Sequence, residues 1–359
     1  MFSREKRKGL IGLDIGSHAI KAVDLKSQKK GGEELYELVK AGYKVLPYDA
    51  IVEGTIIDTT AVAETIKMIF DENKISNKNV AISISGNSVI LKKISLPRME
   101  PEELAESISW EAKHNIPYSY NEIEVDYAIH ESHKGSDGKD LDVLLVAVKK
   151  DKIANYSNVV HQSRKNLEAI EVDILALYNA LELNYPEIFP AENIALINGG
   201  AHITNVLVVE KGNPQIFRDL PIGGFYLTEN IKNELNVSFD EAEKLLKGIP
   251  SETLSPEREE AILAMNTKEY LEEIEKTFSL YRSGEREDGK IEHIFLSGGL
   301  AKLKNICAHF EERLKIKTEI FNPFRNVYFN EKKLDAVYIQ EIAPLFGVAL
   351  GLATRKAGK

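Results

Sequence analysis

A short polar turn near the start of the chain carries residue types that can bind phosphate. Asp14, Gly16 and Ser17 follow the apolar run Leu10–Leu13, which predicts the end of a buried strand. Glycine lets backbone N–H groups approach an anion closely, and the Ser17 hydroxyl adds a donor. Lys21 adds a positive charge, and Asp14 could hold Mg²⁺ through water. The alternative is an ordinary hairpin turn, with glycine where the backbone needs a positive φ.

The same order of residue types returns 184 residues later. The segment Asn198–His202 aligns with Asp14–His18, because each follows a buried strand with an acid or amide, then glycine, then histidine, then another strand. A spacing this long indicates a duplicated α/β domain and not a solenoid repeat. Two facing hairpins of this kind would hold a triphosphate from both sides of a cleft.

A third glycine turn, Ser297–Gly299, follows a predicted strand at 291–296 and precedes a predicted helix at 301–314. Backbone N–H groups at such a turn can meet a phosphate or a nucleoside. One turn of this kind says little. Three turns in this order, each after a buried strand, predict a nucleotide cleft.

The elements that must position these turns alternate between strands and helices. We predict a hairpin at 10–26, a strand at 35–46, a helix at 60–74 capped by threonine and a strand at 80–85. A βα-ββα segment follows at about 87–165, and then a helix at 174–185. The second half has strands at 193–209 and 215–220, helices at 225–235 and 240–247, and a long polar helix at 256–283 in which one interruption is allowed. A closing helix is predicted at 340–355.

Composition narrows the class of protein. The 359 residues carry a net charge of −10, which argues against general nucleic-acid binding. Cys307 is the only cysteine, so an intrachain disulfide and a cysteine-based metal site are excluded. The longest apolar stretch, Ile342–Ala353, is shorter than the roughly 18 residues that a membrane helix needs.

The three turns and two connecting helices rich in small residues resemble the actin-like ATPase superfamily (actin, Hsp70, sugar kinases, FtsA) over nearly the whole chain. More narrowly, the sequence is similar to the PilM family, the actin-like proteins of type IV pilus assembly. That similarity is carried by Leu96–Met99, Trp110–Ala112, Asn115–Pro117 and Val125–Tyr127. The end of the sequence, Thr354–Lys359, lacks the amphipathic membrane helix expected for FtsA.

The resemblance implies an α/β fold: actin-like (ribonuclease H-like) duplicated domains flanking a nucleotide cleft, with an inserted FtsA-type α+β subdomain. The first actin-like domain is expected at 9–86 and 167–190, with part of the C-terminal helix 340–355. The inserted subdomain is expected at 87–166 and the second actin-like domain at 191–339. Residues 1–8 are expected to be a flexible tail.

The resemblance also implies ATP and Mg²⁺ in the cleft. The expected ATP contacts are the first loop, Asp14, Gly16, Ser17 and Lys21; the second loop, Asn198, Gly199, Gly200 and Thr204; the nucleoside loop, Ser297, Gly298 and Gly299; and Glu243 and Lys247 on a nearby helix. Asp14 and Asn198 are expected to hold Mg²⁺ through water.

The partner implied by the family is the cytoplasmic tail of the inner-membrane protein PilN, bound in a groove between the first subdomain and the inserted one. Leu96, Pro97, Met99 and Trp110 are the groove residues expected here, although a tryptophan on such a helix is more often a core residue. The family also implies other inner-membrane and motor components, a role in twitching motility, and a cytoplasmic location at the inner membrane through the partner. A homodimer is left open.

Asn198 departs from the superfamily pattern, which usually has aspartate at this position. Asparagine keeps a carbonyl oxygen but has no charge and cannot take a proton, and positioning and charge dominate phosphoryl transfer. No acid neighbours Asn198 in the sequence. We therefore expect ATP binding with slow or absent hydrolysis. The alternatives are a small-molecule kinase and a filament-forming ATPase of the same fold.

Overall fold

The structure is a computed structural model that describes residues 9–130, 140–251, 254–283 and 289–356. The tail expected at 1–8 lies outside the described residues. In the first half the elements are β1 (Ile11–Ile15), β2 (Ala19–Lys30), β3 (Glu33–Val45), β4 (Ile51–Val52), β5 (Thr55–Ile56), α1 (Thr59–Glu72), β6 (Asn79–Ile84), β7 (Val89–Pro97), α2 (Pro101–Asn115), β8 (Ile123–His130), β9 (Asp140–Lys149), α3 (Lys150–Gln162), β10 (Asn166–Val172) and α4 (Asp173–Asn184).

The second half continues with β11 (Asn193–Gly199), β12 (Thr204–Glu210), β13 (Asn213–Leu220), α5 (Gly224–Leu235), α6 (Phe239–Leu246), α7 (Pro256–Arg282), β14 (His293–Gly298), α8 (Ile306–Leu314), β15 (Lys317–Ile320), β16 (Val327–Phe329), α9 (Ala336–Ile342) and α10 (Gly347–Ala353). Short 3₁₀ turns lie at Tyr120–Glu122, Gly299–Lys302 and Ala343–Phe346.

The first sheet has the strand order β10-β6-β1-β2-β3-β16 among the described residues. β1 pairs antiparallel with β2 and parallel with β6. All five residues of β1 are buried, because α1 and α3 pack on one face of the sheet while α4 and α10 pack on the other. A continuously apolar strand is the pattern expected of a strand that is covered on both faces.

The second sheet repeats the first. Its described strands have the order β13-β12-β11-β14-β15, which matches β3-β2-β1-β6-β10 position by position. In the first hairpin Leu13 pairs with Ala22, and in the second Ile197 pairs with Val206, so both partners are shifted by 184 residues. The duplication predicted from the sequence is therefore present in the register of the two hairpins.

A small sheet, β7-β9-β8, is inserted between β6 and α3. One of its faces is covered by α2, whose Leu104, Ile108 and Ala112 are buried against it. Its other face lies against the first sheet's core through Val89 and Val146. α3, which follows the insertion, packs on α1 and on β10.

α4 and α10 cross directly beneath β1, where glycine permits contact between backbones. A Cβ atom on Gly351 would overlap the carbonyl oxygen of Ala176 in α4, and one on Gly12 of β1 would overlap the carbonyl oxygen of Ala349. A Cβ on Gly347 would overlap the side chain of Leu177. The two sheets are thus joined at a crossing that has no room for side chains.

Several elements differ from the prediction. β10 was not expected, and it lies parallel to β6 at the sheet edge. The side chain of Asp58, and not of a threonine, caps α1 by accepting from the Ala61 N–H. α7 is one unbroken helix. The closing helix is divided by a 3₁₀ turn that contains Pro344, because proline cannot supply the N–H that an α-helix needs there.

One helical run passes a length and composition test for crossing a membrane. It extends over Ala336–Ala353, with 18 residues and a mean hydropathy of 1.6, and 67% of it is buried inside the protein. It is longer than the apolar stretch expected from the sequence. Its burial against α4 and β1 accounts for its apolar character, as in the core helix of a folded domain.

Candidate functional site

The first polar turn is held by an ion pair across its hairpin. Asp14 and Lys21 face each other in the register of β1 and β2, and their Oδ2 and Nζ atoms are 3.1 Å apart. Both side chains are largely shielded, with 11% of Asp14 and 15% of Lys21 exposed. An ion pair shielded in this way keeps both charges at the mouth of the turn, where an anion and a cation could each be held.

Glycine is needed at position 16 because neighbouring atoms come close to its Cα, and not because of a positive φ. Its φ is not positive, whereas the ordinary hairpin alternative needs a positive φ. A Cβ at this position would lie 3.1 Å from Lys21 Nζ and 3.2 Å from the Ala19 carbonyl oxygen. The missing side chain therefore keeps open the space beside the lysine ammonium, which fits a cradle for an anion.

The second loop is built from the same position in the second sheet and touches the nucleoside loop. A Cβ on Gly199 would press on Leu300, at 2.5 Å from its Cβ. Gly298 has a φ of 82°, and a Cβ there would lie 2.8 Å from Asn198 Oδ1. Glycine is needed at position 298 because of the positive φ and because a Cβ would be too close to the second loop. The Gly200 N–H donates to the Ile203 carbonyl, which closes the loop.

Two predicted contacts support these loops from behind. Thr204 is fully buried, and its hydroxyl donates to the Ile222 carbonyl at 2.7 Å. The buried Ser297 hydroxyl donates to the Pro344 carbonyl at 3.0 Å, which ties the nucleoside loop to the closing helices. Both hydroxyls are committed to the protein, so only the backbone of these residues remains available to a ligand.

Asn198 lies in a chain of amide hydrogen bonds. Its Nδ2 donates to Asn205 Oδ1 at 3.1 Å, and Asn205 Nδ2 donates to Asp219 Oδ1 at 2.7 Å. The other oxygen of Asp219 accepts from the Gly86 N–H at 2.7 Å. No acid neighbours Asn198 in the sequence, but in the folded chain β13 connects Asp219 to it through the Asn205 side chain.

A further carboxylate, Asp173, was missed in the sequence. It opens α4, and an acid there is most simply explained by the helix dipole. Burial, and next the charge of Asp14, raise the pKa of Asp173 to about 6, while the hydroxyls of Ser83 and Ser85 act in the opposite direction. The base of the cleft therefore gathers carboxylates from β1, α4 and β13.

A buried lysine, Lys152, partly balances this negative charge. The Lys152 ammonium, in the first turn of α3, donates to the Gly54 carbonyl and lies 4.9 Å from the centre of the Tyr156 ring. Burial lowers the pKa of Lys152, and the charges of Asp173 and Asp219 are among those that raise it. Nothing in the sequence marks this lysine among the many others on helices.

Asp173→Asn is expected to stabilise the nucleotide-free protein at pH 7. The folded state holds the proton more tightly than the unfolded chain, so stability falls as pH rises from about 4 to 6. The variant should gain about 1–3 kcal/mol in the free energy of unfolding at pH 7 and little at pH 4, as measured by urea titration. Asp240→Asn, an exposed first-turn acid of α6, is the control and should lose a few tenths of a kcal/mol. A loss in Asp173→Asn at both pH values would contradict the expectation.

Aromatic rings meet where the two halves face each other. His18 and His202, which are equivalent positions of the two turns, both contact the edge of Phe225, with ring centres 6.0 and 4.8 Å away. The ring of Tyr48, in the first half, contacts the rings of Phe225 and Phe239, with centres 5.6 and 5.7 Å away. The two predicted loops therefore lie on opposite sides of one cleft, and rings cover one end of it.

α6 brings further charge to the first loop. Glu243 and Lys247 form an ion pair with a distance of 3.0 Å. The charge of Glu243 raises the pKa of His18, and those of Lys247 and Lys21 lower it. Burial is the largest cause of the lowered pKa of His18, and burial also lowers the pKa of His202. Both imidazoles are therefore neutral at pH 7 and could offer a hydrogen bond to a ligand but no charge.

The residues expected to line a partner groove do not share one surface. Leu96 is buried in the core beneath α2, and Met99 packs against the same core. Pro97 is exposed. Trp110 is 57% exposed, and its ring stacks on His114 with centres 4.0 Å apart, so the core alternative for it is wrong. Pro97 and Trp110 are the exposed members of the four, Met99 is half-buried, and Leu96 is covered.

The arrangement suits a hydrated cation better than one held directly by the protein. Among the residues that the structure describes, no group of three or more His, Cys, Asp or Glu is placed to hold a metal ion. Mg²⁺ usually keeps several waters and binds through one or two carboxylates together with phosphates. Asp14, beside the buried Asp173, fits that mode, whereas both oxygens of Asp219 are already bonded to Asn205 and Gly86.

Two sheets of one strand order, joined by crossing helices around a shared cleft, define the actin-like ATPase fold. The structure aligns with a PilM-PilN type IV pilus biogenesis complex at a TM-score of 0.83 and 24% identity, over 97% of this chain and 98% of that one. It aligns with the ethanolamine utilization protein EutJ from Carboxydothermus hydrogenoformans at a TM-score of 0.56 and 14% identity, over 98% of this chain and 93% of that one. MreB 5 of Spiroplasma citri bound to AMPPNP aligns at a TM-score of 0.53 and 15% identity, over 97% of this chain and 95% of that one.

The sequence narrows this class further. The chain belongs to the family of the type IV pilus assembly protein PilM, whose profile matches residues 12–357. The resemblance and the fold class predicted from the three glycine turns are confirmed.

Proposed function

We propose that this chain is an ATP-binding scaffold of type IV pilus assembly, which binds Mg²⁺-ATP in its cleft and the cytoplasmic tail of PilN on its first half. In this role it lies in the cytoplasm at the inner membrane, held there by PilN, and links PilN to the pilus motor. Family membership supports the pilus role, and the similarity to a PilM-PilN complex supports PilN as the partner.

The observation that carries the nucleotide part is the duplicated hairpin. Asp14 with Lys21 and Asn198 with Asn205 occupy equivalent register positions, 184 residues apart, on two sheets that share one cleft. An arrangement of this kind can hold phosphates between two loops. The relatedness to MreB 5, whose structure contains AMPPNP, supports the same ligand class.

Each part of the ligand would meet a different set of groups. The backbone at Gly16, Ser17 and Gly199 would receive phosphates, Gly200 would border them with its N–H already bonded to the Ile203 carbonyl, and Lys21 would supply charge. Asp14 and Asn198 would orient waters on Mg²⁺, which would neutralise phosphate charge. The backbone of Ser297, Gly298 and Gly299, with Glu243 and Lys247, would border the nucleoside. The hydroxyls of Thr204 and Ser297 are left out, because both are bonded to the protein.

Slow or absent hydrolysis remains part of the proposal. The second loop offers an amide where a carboxylate would position the metal and the attacking water, and Asp219 is tied to Asn205 and Gly86. Asp173 is the acid best placed to accept a proton, since its pKa is raised towards neutrality. Asp173 is therefore the candidate proton acceptor for any residual hydrolysis.

The groove for the PilN tail would lie between two open strand edges. β8 is an edge strand of the inserted sheet and β10 is an edge strand of the first sheet. The charges of the two strands interact, because Asp126 on β8 is among the groups that raise the pKa of Glu171 on β10, after the larger effect of burial. β8 also presents Tyr127 and Ile129, which are 37% and 47% exposed. Strand edges with exposed apolar side chains are suited to an extended peptide.

The test is the affinity of a labelled PilN tail peptide, measured by fluorescence anisotropy with and without Mg²⁺-AMPPNP. Nucleotide should change the dissociation constant by about fivefold or more. Ile129→Asp should weaken the peptide by at least about tenfold, because it buries a charge in the groove. Ile320→Asp, on the edge of the second sheet and 43% exposed, is the matched control and should have no effect.

Failure of the peptide to bind would remove the PilN part of the proposal. Binding that nucleotide leaves unchanged would remove the regulation. Equal weakening by Ile129→Asp and Ile320→Asp would place the peptide elsewhere.

A further inference from the structure

The two equivalent hairpins differ in how their cleft residues are paired. In the first, Asp14 and Lys21 form an ion pair. In the second, the equivalent residues Asn198 and Asn205 form a neutral amide pair at 3.1 Å, with Asn198 as the donor. An ammonium can only donate and a carboxylate can only accept, whereas each amide has both donors and an acceptor. The second pair can therefore continue into a longer chain of hydrogen bonds.

The chain does continue, and it crosses to the other half of the molecule. Asn205 Nδ2 donates to one oxygen of Asp219, and the other oxygen accepts from the Gly86 N–H. Gly86 lies between β6, which ends at Ile84, and β7, the first strand of the inserted sheet. Four residues thus join the second loop to the entrance of the inserted sheet.

The entrance at Gly86 is also shaped by the second loop itself. Gly86 has a φ of 89°, which side chains rarely permit, and a Cβ there would lie 3.1 Å from Ile203 Cδ1. Ile203 is part of the loop that Gly200 closes. The backbone angle, the Asp219 hydrogen bond and the Ile203 contact all fix the same peptide, so a shift of the second loop must move the start of β7.

The exit of the inserted sheet faces the same carboxylate. The Lys149 N–H, at the end of β9, donates to the Ser88 carbonyl at 3.0 Å, so exit and entrance are joined. Three residues later, Lys152 carries a charge that interacts with those of Asp219 and Asp173. The entrance is therefore hydrogen-bonded to Asp219, and Lys152, beyond the exit, interacts with the charge of Asp219 less strongly than with those of Asp173 and Asp151.

We propose that the hydrogen-bond chain Asn198–Asn205–Asp219–Gly86 transmits nucleotide occupancy of the second loop to the inserted sheet, with Asp219 as the positioning residue at its centre. The proposal rests on the proposed function, because it needs a nucleotide at Asn198. The amide of Asn198 would become a stronger N–H donor if a cation or its water were bound at its Oδ1, because electron density would be withdrawn from the amide. Hydrogen bonds in series reinforce one another, so the hold on the Gly86 peptide tightens.

Asp219→Asn tests the link at Gly86. Its amide oxygen can still accept from Asn205, but its NH₂ group faces the Gly86 N–H, and two donors cannot bond. The readouts are the dissociation constant of Mg²⁺-AMPPNP and hydrogen exchange of the backbone amides at 86–97 and 140–149. In the wild type, nucleotide should slow exchange there by about fivefold or more. Asp219→Asn should bind nucleotide within about threefold of the wild type and lose that slowing.

Gln215→Ala is the matched control. Gln215 lies on β13 as Asp219 does, and its Oε1 accepts from Lys93 of the inserted sheet at 3.3 Å, but it has no bond to the second loop. This variant should keep the slowing of exchange. Asn205→Leu interrupts the chain in its middle, leaves the Asp219–Gly86 bond in place, and should also lose the slowing. It serves as the second variant if Asp219→Asn does not fold, as judged by thermal melting.

The outcomes separate the two proposals. A wild type that does not bind Mg²⁺-AMPPNP overturns the proposed function and this inference together. A wild type that binds, with slowed exchange that persists in Asp219→Asn or Asn205→Leu, overturns the inference alone. Loss of the slowing in Gln215→Ala to the same extent overturns it as well, since any contact between β13 and the inserted sheet would then suffice.

Discussion

Gly351→Ala is expected to cost at least about 3 kcal/mol in the free energy of unfolding, the upper end of the usual range for overpacking. The added methyl would overlap the Ala176 carbonyl oxygen, which belongs to the backbone near the start of α4. A side chain could rotate away, but here α4 and α10 must separate. Folded domains are stable by only about 5–15 kcal/mol, so much of the margin disappears. Urea unfolding monitored by circular dichroism measures the loss.

Gly224→Ala is the matched control for this substitution. Gly224 is also helical, but the nearest atoms to a Cβ there are 3.8 and 3.9 Å away, in ordinary contact. Alanine is favoured over glycine inside helices by about 0.5–1 kcal/mol, so stability should stay level or rise slightly. Equal stability of the two variants would contradict the crossing as a close backbone contact.

Asp14→Asn is expected to weaken Mg²⁺-ATP binding by about 30- to 100-fold, because hydrogen bonds to charged groups are worth roughly 1.5–3 kcal/mol. The variant has an amide where the first loop needs a carboxylate, and it leaves Lys21 without its partner. The preference for ATP with Mg²⁺ over ATP alone should be lost as well. Titration calorimetry with and without Mg²⁺ separates the two effects.

Asp24→Asn is the control on the same hairpin. Asp24 pairs with Ile11 at the far end of β1 from the turn, so its nucleotide affinity should match the wild type. Asn198→Asp is the reciprocal change, and ATP turnover measured beside it tests the effect of the missing charge: turnover should be slow in the wild type and faster in the variant. Fast turnover in the wild type that Asp14→Ala abolishes would overturn a scaffold without efficient hydrolysis.

The loops and the duplication could be predicted because their signals are local. Glycine at Gly16 and Gly298 is needed where backbones or ligands come close, and the sequence carries that need directly. The 184-residue offset between the two turns then predicts a second sheet that repeats the first. Asp173 and Asp219 could not be found in this way, because their role depends on a helix start and a third strand meeting at one cleft.

Elements that depend on distant partners were also the ones missed. β10 has the mixed sequence of a sheet edge, and it is a strand because β6 lies beside it. Trp110 lies on an amphipathic helix but on its outer face, next to His114. Leu96 looked available beside a proline, yet it is covered by α2. In each case tertiary packing decided what local pattern could not.

The strand β16 has a consequence for how the protein is made. It lies parallel to β3, at residues 36–38, and α10 covers β1 from the very end of the described chain. The second sheet, by contrast, draws all its strands from residues 193–320. On a ribosome the first half is synthesised first, but its core stays incomplete until the final helix emerges. The half that is made last can therefore finish folding first, and the early strands must wait with open edges, which is the stage most exposed to aggregation and chaperones.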